Sequence, residues 1–409
     1  MTKRDEIPKF GPLCGVSVVN SGARVAGPFA AQMFADFGAD VIWIEQPSLP
    51  DTNRYGDHRL YASLDRRNRR SLVLNIKNED GRKVFLRLLR QTDVFIESSR
   101  GGTFDGFGLS DEVLWKANPA LVIVHISGFG QTGIPDYVRR PSWDGIGQAF
   151  GGYVFLNGNP EPESPVATVP YTCDYFTGYS AAMMGLAALL KARETGRGEC
   201  VDVAQYEAMV RCQFYYPLKH FATGEQAMRT GNENTIAACF KVYRCKDGKY
   251  IFMALVGFGV LKSGLPLFGF EFGSKDFPAT EARVYQGSPA AEKLEQRVQE
   301  FFDSRTLEEA ERDLVKAGIP CSPVMNYEMM ENHHHYQARE VFVEWDNPIG
   351  MTVKGPAPLP KLKNNPGQIW RGYPTFGMDN DDILIELGYS LEEIAKLYEN
   401  ETIAKDDSI

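Results

Sequence analysis

Residues 15–45 read GVSVVNSGARVAGPFAAQMFADFGADVIWIE, and this stretch decides the fold. Its opening, 15–22, is an apolar run that ends in glycine, the pattern of a buried strand entering a turn. Residues 27–40 read as a helix closed by Gly38, and VIWIE, 41–45, as the next strand. Strand, helix and strand in so short a span make a βαβ unit, whose two strands lie parallel.

Outward from there the alternation continues. Strands are expected at 71–76 (SLVLNI), 93–98 (DVFIES) and 121–127 (LVIVHIS), with helices at 79–92 and 109–118 between them. The result is an α/β layer around a mostly parallel sheet. Ligands of such sheets bind at the carboxyl ends of the strands, which here are NSGARVAG, IEQPS, ESSRGG and ISGFGQTG. A further helix over 175–195 stops near Gly196. Beyond about residue 221 the chain turns small and polar, YRCKDGKYIFMALV reads as a hairpin around a DG turn, and helices follow over about 290–317. Residues 225–330 therefore read as a second, smaller domain. The tail carries a proline-rich stretch, PAPLPKLKNNPGQ, and a last amphipathic helix near SLEEIAKLYEN.

With 409 residues, 43% apolar and 24% charged, the chain can bury a large core. A net charge of −9 argues against general nucleic-acid binding. Seven scattered cysteines without a CxxC pair, and an N-terminus without a signal-like apolar core, indicate reduced thiols in a cytoplasmic protein. No apolar run approaches the ~20 residues of a membrane helix.

Candidate chemistry divides into weak and stronger signals. NSGARVAGP, with Glu45 further on as a ribose acid, invites a dinucleotide site, but the GxGxxG spacing is not met. DRRNRRSLVLNIK gathers Arg66, Arg67, Arg69, Arg70 and Lys77 as a seat for a polyphosphate, and Arg100, Arg139 and Arg140 add cations near strand ends. The HHH run at 333–335 reads as an exposed polar loop, since adjacent side chains diverge and no ligand partner has the right spacing. His58, His125 and His220 have no nucleophile motif beside them. Asp174, in VPYTCDYFTG, stands at the start of the 175–195 helix. Taken alone, an acid there is an ordinary helix cap.

Several stretches, however, resemble the family III CoA-transferases, the CaiB/BaiF family. They are KFGPLCGVSVVNSG, AGPFAAQMFADFGADVIWIE, DEVLWKANPALVIVHISGFGQTG, VPYTCDYFTG, KARETGRGE and LPKLKNNPGQIWRGYPTFGMD. NNPGQIWRG is similar to the L-carnitine/γ-butyrobetaine branch. The resemblance implies a large Rossmann-like α/β domain built from both chain ends, 1–224 and 331–409, a small α+β domain over 225–330, and a homodimer with interlocked chains. It implies a CoA-transferase acting on an acyl-CoA and a free carboxylic acid, a betaine in this branch, without metal or any cofactor beyond CoA and its thioesters. Asp174 takes the place of the family's catalytic aspartate. The CoA-binding residues expected are Leu74, Lys77, Ser98, Ser99, Arg100, Arg139 and Arg140. Tyr175, Tyr215 and Tyr216 are expected to line a pocket for a quaternary ammonium group, and Gly231 to offer a backbone N–H to an oxyanion. Cys173 stands where this branch has alanine, Gly106 and Phe107 where some members have a basic residue, and Val25 where oxalate-type relatives have a polar one.

An aspartate with an ordinary pKa of ~3.9 is an anion at neutral pH and needs no general base. Asp174 is therefore expected to be ionised, held by N–H groups of the helix start. Other readings are a transferase or acyl-CoA racemase for another acid, a non-catalytic CoA- or nucleotide-binding protein, and an NAD(P)-dependent oxidoreductase.

Overall fold

The computed structural model describes residues 3–56 and 58–409. The first two residues of the N-terminal segment and the side chain of His58 lie outside that description. The chain forms two compact units. The first comprises Met1–Val154, Ala167–Glu225 and Gln337–Ile409; the second comprises Phe155–Val166 and Gln226–Tyr336.

In the first unit the order is β1 (Ser17–Ser21), α1 (Ala26–Ala35), β2 (Asp40–Glu45), α2 (His58–Asp65), β3 (Arg69–Val73), α3 (Glu79–Leu89), β4 (Val94–Glu97), α4 (Asp111–Ala117), β5 (Val122–Ser127), α5 (Asp144–Phe150), α6 (Thr172–Thr195), β6 (Cys200–Ala204), α7 (Gln205–Arg211) and α8 (Tyr216–Thr223). The six strands pair in parallel in the order β3-β2-β1-β4-β5-β6. This is the doubly wound order, in which the winding reverses between β1 and β4 and opens a crevice at their carboxyl ends. Both faces of the sheet are covered, which is why β1 to β5 are buried along nearly their whole length and β2, β4 and β5 read as nearly continuous apolar runs. On one face Val18, Ile96 and Val124 meet Ala30 and Phe34 of α1 and Ala181 and Leu189 of α6. Gly178 lets those two helices close, since a Cβ there would lie 2.7 Å from a ring atom of Phe29. On the other face Val19, Phe95 and Ile123 pack against Phe85 and Leu88 of α3 and Leu114 of α4.

The second unit holds an antiparallel sheet of β7 (Phe240–Arg244), β8 (Tyr250–Ala254) and β9 (Cys321–Pro323). The helices α9 (Pro289–Asp303) and α10 (Leu307–Lys316) pack with it around Ile251, Met253, Leu294, Val298 and Phe302. The expected hairpin is there, with Gly248 of its DG turn at φ +79. Residues 155–166 join this unit because Arg229 grips them. Its guanidinium donates to the Asn159 carbonyl at 3.0 Å, to Glu161 at 2.5 Å and to the Glu163 carbonyl at 2.8 Å. His333, His334 and His335 lie at or beside short helical turns, and none is buried.

The chain then returns to the first unit through an antiparallel pair, β10 (Phe342–Asn347) and β11 (Met351–Pro356), and two helices, α11 (Asn380–Glu386) and α12 (Leu391–Glu399). Asp379 accepts the Ser71 N–H at 2.8 Å and Asn380 accepts the Val73 N–H at 2.9 Å. The outer edge of β3 is thus closed by side chains of the tail, which removes a pairing hazard.

The expected polyphosphate seat at Arg66–Arg70 is internal. Arg66, Arg67, Arg69 and Arg70 are all buried. Arg66 pairs with Asp51 at 2.6 Å, Arg67 with Asp36 at 2.6 Å, and Arg70 with Asp40 at 2.7 Å and Glu386 at 2.9 Å. Arg69 donates to Asn20 at 3.0 Å and to the Pro28 carbonyl. Glu45, the expected ribose acid, is buried against Arg54 at 2.5 Å. The ion pairs satisfy each other's charge, and Arg69, which donates to neutral oxygens, is shut away from a ligand by its burial. Among the described residues no helix is long and apolar enough to cross a membrane.

Candidate active site

Three of the four strand ends singled out in the sequence come together at the crevice. Ala23–Ala26 after β1, Ser98–Arg100 after β4, and Ser127 and Gly128 at the end of β5 line one cavity of about 230 Å³, together with Asp174 and Gln205. The fourth, after β2, is occupied by the Glu45–Arg54 pair. A second cavity of about 590 Å³ is lined by Asn53, Tyr61, Gly145, Thr168, Val169 and Tyr171, and again by Asp174. Arg24, Val25 and Trp143 border both cavities. Asp174 therefore stands between two spaces, and the Arg24 guanidinium lies 4.6 Å over the Trp143 ring beside it. Arg24 and Tyr171 hold positive φ values of 69 and 33, conformations a non-glycine residue adopts at a cost and that cluster at functional sites.

Asp174 is the third residue of α6 and is 7% exposed. It does not cap the helix. Its own backbone N–H donates to Asp144 at 3.1 Å, so Asp144 is the acid that serves the helix start. Asp144 is held in turn by Gln148 at 2.6 Å. The Asp174 carboxylate accepts instead from the side-chain amide of Gln205, which follows directly on β6. Burial, with the Asp144 charge beside it, pushes Asp174 up to about 7, and the Gln205 bond opposes this only in part. The expectation of a carboxylate fully ionised at neutral pH is thereby corrected: the group is poised between its two forms.

The other expected site residues distribute unevenly. Ser98, Ser99 and Arg100 share the smaller cavity with Asp174. Arg139 lines a neighbouring cavity of about 290 Å³ with Gly101, Gly102 and Gln131. Arg140 is exposed and stacks over Tyr137 at 3.8 Å. Lys77 is exposed, 5.4 Å from the Phe107 ring, and belongs to neither cavity at Asp174. Leu74 is fully buried in the core, and its N–H and C=O are both taken by backbone bonds. Tyr175 points away from the two cavities, edge-on to Phe29 at 4.7 Å, because the residue after Asp174 on a helix faces a different side. Tyr215 and Tyr216 pack on each other and on Phe214. Gly231 belongs to the second unit, where its N–H is already donated to the Gly158 carbonyl at 3.0 Å. The aromatic residues that do border Asp174 are Tyr61, Trp143 and Tyr171. Those three, with Arg24, Asp144 and Gln205, were not found from the sequence. NSGARVAG was the one local signal, and it pointed to the turn rather than to Arg24.

Comparison with known proteins comes down on one side. The family model described as CoA-transferase family III matches residues 13–380. The bile acid CoA-transferase BaiK of Clostridium scindens is 41% identical over 397 residues, covering 96% of this chain and 90% of its own. Among solved structures, a CAIB/BAIF family protein from Brucella suis superposes with a TM-score of 0.76 at 27% identity, covering 92% of this chain and 100% of its own. Rv3272 from Mycobacterium tuberculosis superposes with a TM-score of 0.77 at 24% identity, over 91% of this chain and 99% of its own, which speaks for the fold alone.

Proposed function

Because the chain belongs to CoA-transferase family III, we propose that Asp174 is the nucleophile through which CoA passes from an acyl-CoA to a free carboxylic acid. The observation that carries this is the position of Asp174: one buried carboxylate facing two cavities at the switch point of the sheet. Ionised Asp174 attacks the thioester carbonyl, forms a mixed anhydride and expels CoA thiolate. The thiolate attacks the aspartyl carbonyl, giving an aspartyl-CoA thioester and releasing the donor acid. The acceptor carboxylate then attacks that thioester, a second anhydride forms, and the returning thiolate attacks its acyl carbonyl, yielding the new acyl-CoA and free Asp174. Every step exchanges one acyl bond for another, so placement rather than acid–base chemistry supplies the rate. Ser98, Ser99 and Arg100 hold the CoA side and Arg139 extends that surface, while the larger cavity holds the acid. Arg24 is placed to meet an incoming carboxylate or a developing oxyanion. Trapping supports or sinks this reading: with acyl-CoA and hydroxylamine, mass spectrometry should find the hydroxamate on the peptide of Asp174 and on no other.

Two classes of acid compete for the larger cavity. NNPGQIWRG favours a betaine such as L-carnitine, γ-butyrobetaine or crotonobetaine. A bulky apolar acid is favoured by the 590 Å³ cavity and by the Trp143 face, which Arg24 already covers and a quaternary ammonium would need. BaiK, named for bile acids, points the same way. We infer the apolar acid. Cholate should exceed γ-butyrobetaine in kcat/KM by at least ~10-fold, a modest difference in pocket contacts; the reverse order would restore the betaine. Two further inferences go with this function. The seven cysteines are all free, which supports a cytoplasmic setting. Two copies of the chain interlock as a homodimer, a reading supported by exposed apolar side chains on and beside α8, namely Phe214, Leu218 and Phe221.

A further inference from the structure

A cluster of ligand-type side chains lies on the face of the sheet opposite α6. Asp111 opens α4, His125 is on β5 and Cys200 begins β6. Strand alternation sets His125 on the same face as Ile123, and the pairing of Ile123 with Cys200 brings the thiol alongside. His125 Nε2 lies 2.9 Å from Asp111 Oδ1, and its Nδ1 lies 2.7 Å from Glu97 Oε1. The ligand atoms of Asp111, His125 and Cys200 all fall within 4.8 Å of one another. His125 is buried, whereas Asp111 and Cys200 are half-buried, so an ion has a route in from the surface.

We propose that Asp111 Oδ1, His125 Nε2 and Cys200 Sγ form a binding site for a divalent cation of the zinc class, with Glu97 as its outer carboxylate. One oxygen, one nitrogen and one sulfur ligand make a set that suits a borderline-soft ion, and three protein ligands leave a fourth position for water. Glu97 does what such a site requires of its surroundings. By accepting the Nδ1 proton it leaves the Nε2 lone pair directed at the ion and fixes the ring. Binding displaces the proton shared by Nε2 and Asp111 and the proton of the thiol, both to solvent, and no electron changes hands. The three donors come from one helix and two strands, so the ion ties β6, the edge of the sheet, to β5 and α4. The site shares no ligand with Asp174, although Glu97 also accepts the Ser99 N–H at 2.7 Å and so touches the edge of the smaller active-site cavity; its role is structural.

Cobalt(II) is the probe, because its spectrum reports both geometry and sulfur ligation. Enzyme stripped with chelator should take up one equivalent, with d–d bands of a four-coordinate ion and a thiolate-to-cobalt charge-transfer band that zinc(II) abolishes. Cys200→Ser should remove the charge-transfer band and weaken uptake by at least ~10-fold. Replacing the exposed thiols, Cys14→Ser with Cys212→Ser, should change neither. Zinc(II) should raise the Tm of the wild type and not that of Cys200→Ser. Should His125→Gln fail to fold, Asp111→Asn at its half-buried position carries the same test, with the same loss expected. A stripped wild type without the charge-transfer band, or a band that survives Cys200→Ser, overturns the site and leaves the three residues as a hydrogen-bonded network.

Discussion

The carboxyl of Asp174 is the group on which the proposed chemistry turns, and its surroundings make it sensitive. Burial and the Asp144 charge raise it to about 7. Only the ionised form attacks, so the rate of transfer should rise with pH through that region. Asp144→Asn removes the like charge and keeps an oxygen for the Asp174 N–H. The acidic limb of kcat/KM should then move to lower pH; an unmoved limb would assign it to another group. Asp174→Asn should cut transfer by about three orders of magnitude or more, measured by acyl-CoA turnover. It should also stabilise the fold. The group ionises near 3.8 when unfolded and near 7 when folded, so the native state bears a cost at high pH. Removing it should raise Tm by roughly a few degrees at pH 8. The gain should shrink as pH falls below 7 and vanish below about 4, as thermal melts at both ends would show. The price of a reactive carboxylate is visible here as lost stability.

Among the elements, β2, β3 and the turns before them are held by arginine pairs that face inward. Asp51→Ala leaves Arg66 buried without its partner and should cost about 3–5 kcal/mol in chemical denaturation. Lys77→Ala, at an exposed position of the same stretch, should stay within about 0.5 kcal/mol. The contrast shows what could be read in advance. β1 to β5 were legible because helices cover both faces, so that nearly every position is buried and each strand carries a run of successive apolar residues. β6 was not: it is an edge strand, partly exposed, with Asp202 in its middle. The β10–β11 pair was hidden for the same reason, since it alternates with exposed charges beside a proline-rich stretch. Counting arginines could not separate a solvated run from a paired one, because Asp36, Asp40, Asp51 and Glu386 reach them from distant segments. The site follows the same logic. Asp174 emerged through a family resemblance, and Ser98 to Arg100 through their strand end. Arg24, Asp144 and Gln205 meet Asp174 only once the strand order is known.

At the scale of the whole molecule, the exposed apolar side chains of Phe214, Leu218 and Phe221 are the surface on which the homodimer is tested. Light scattering on the wild type should give twice the chain mass, and Leu218→Asp with Phe221→Asp should give the single mass. A double variant that remains dimeric would place the interface elsewhere. The closing of β3 by the tail has a consequence of another kind. The bond from Ser71 to Asp379 joins residues 308 positions apart. During synthesis, at about 5–20 residues per second, the ribosome delivers β3 long before its cover. For tens of seconds the nascent chain carries an open strand edge that nothing of its own can yet meet. The second unit, complete in a nearly continuous span, has time to fold in that interval. The arginines within β3 meet the same delay, since Arg70 waits for Glu386. A segment made 308 residues later thus decides whether β3 is safe from its neighbours.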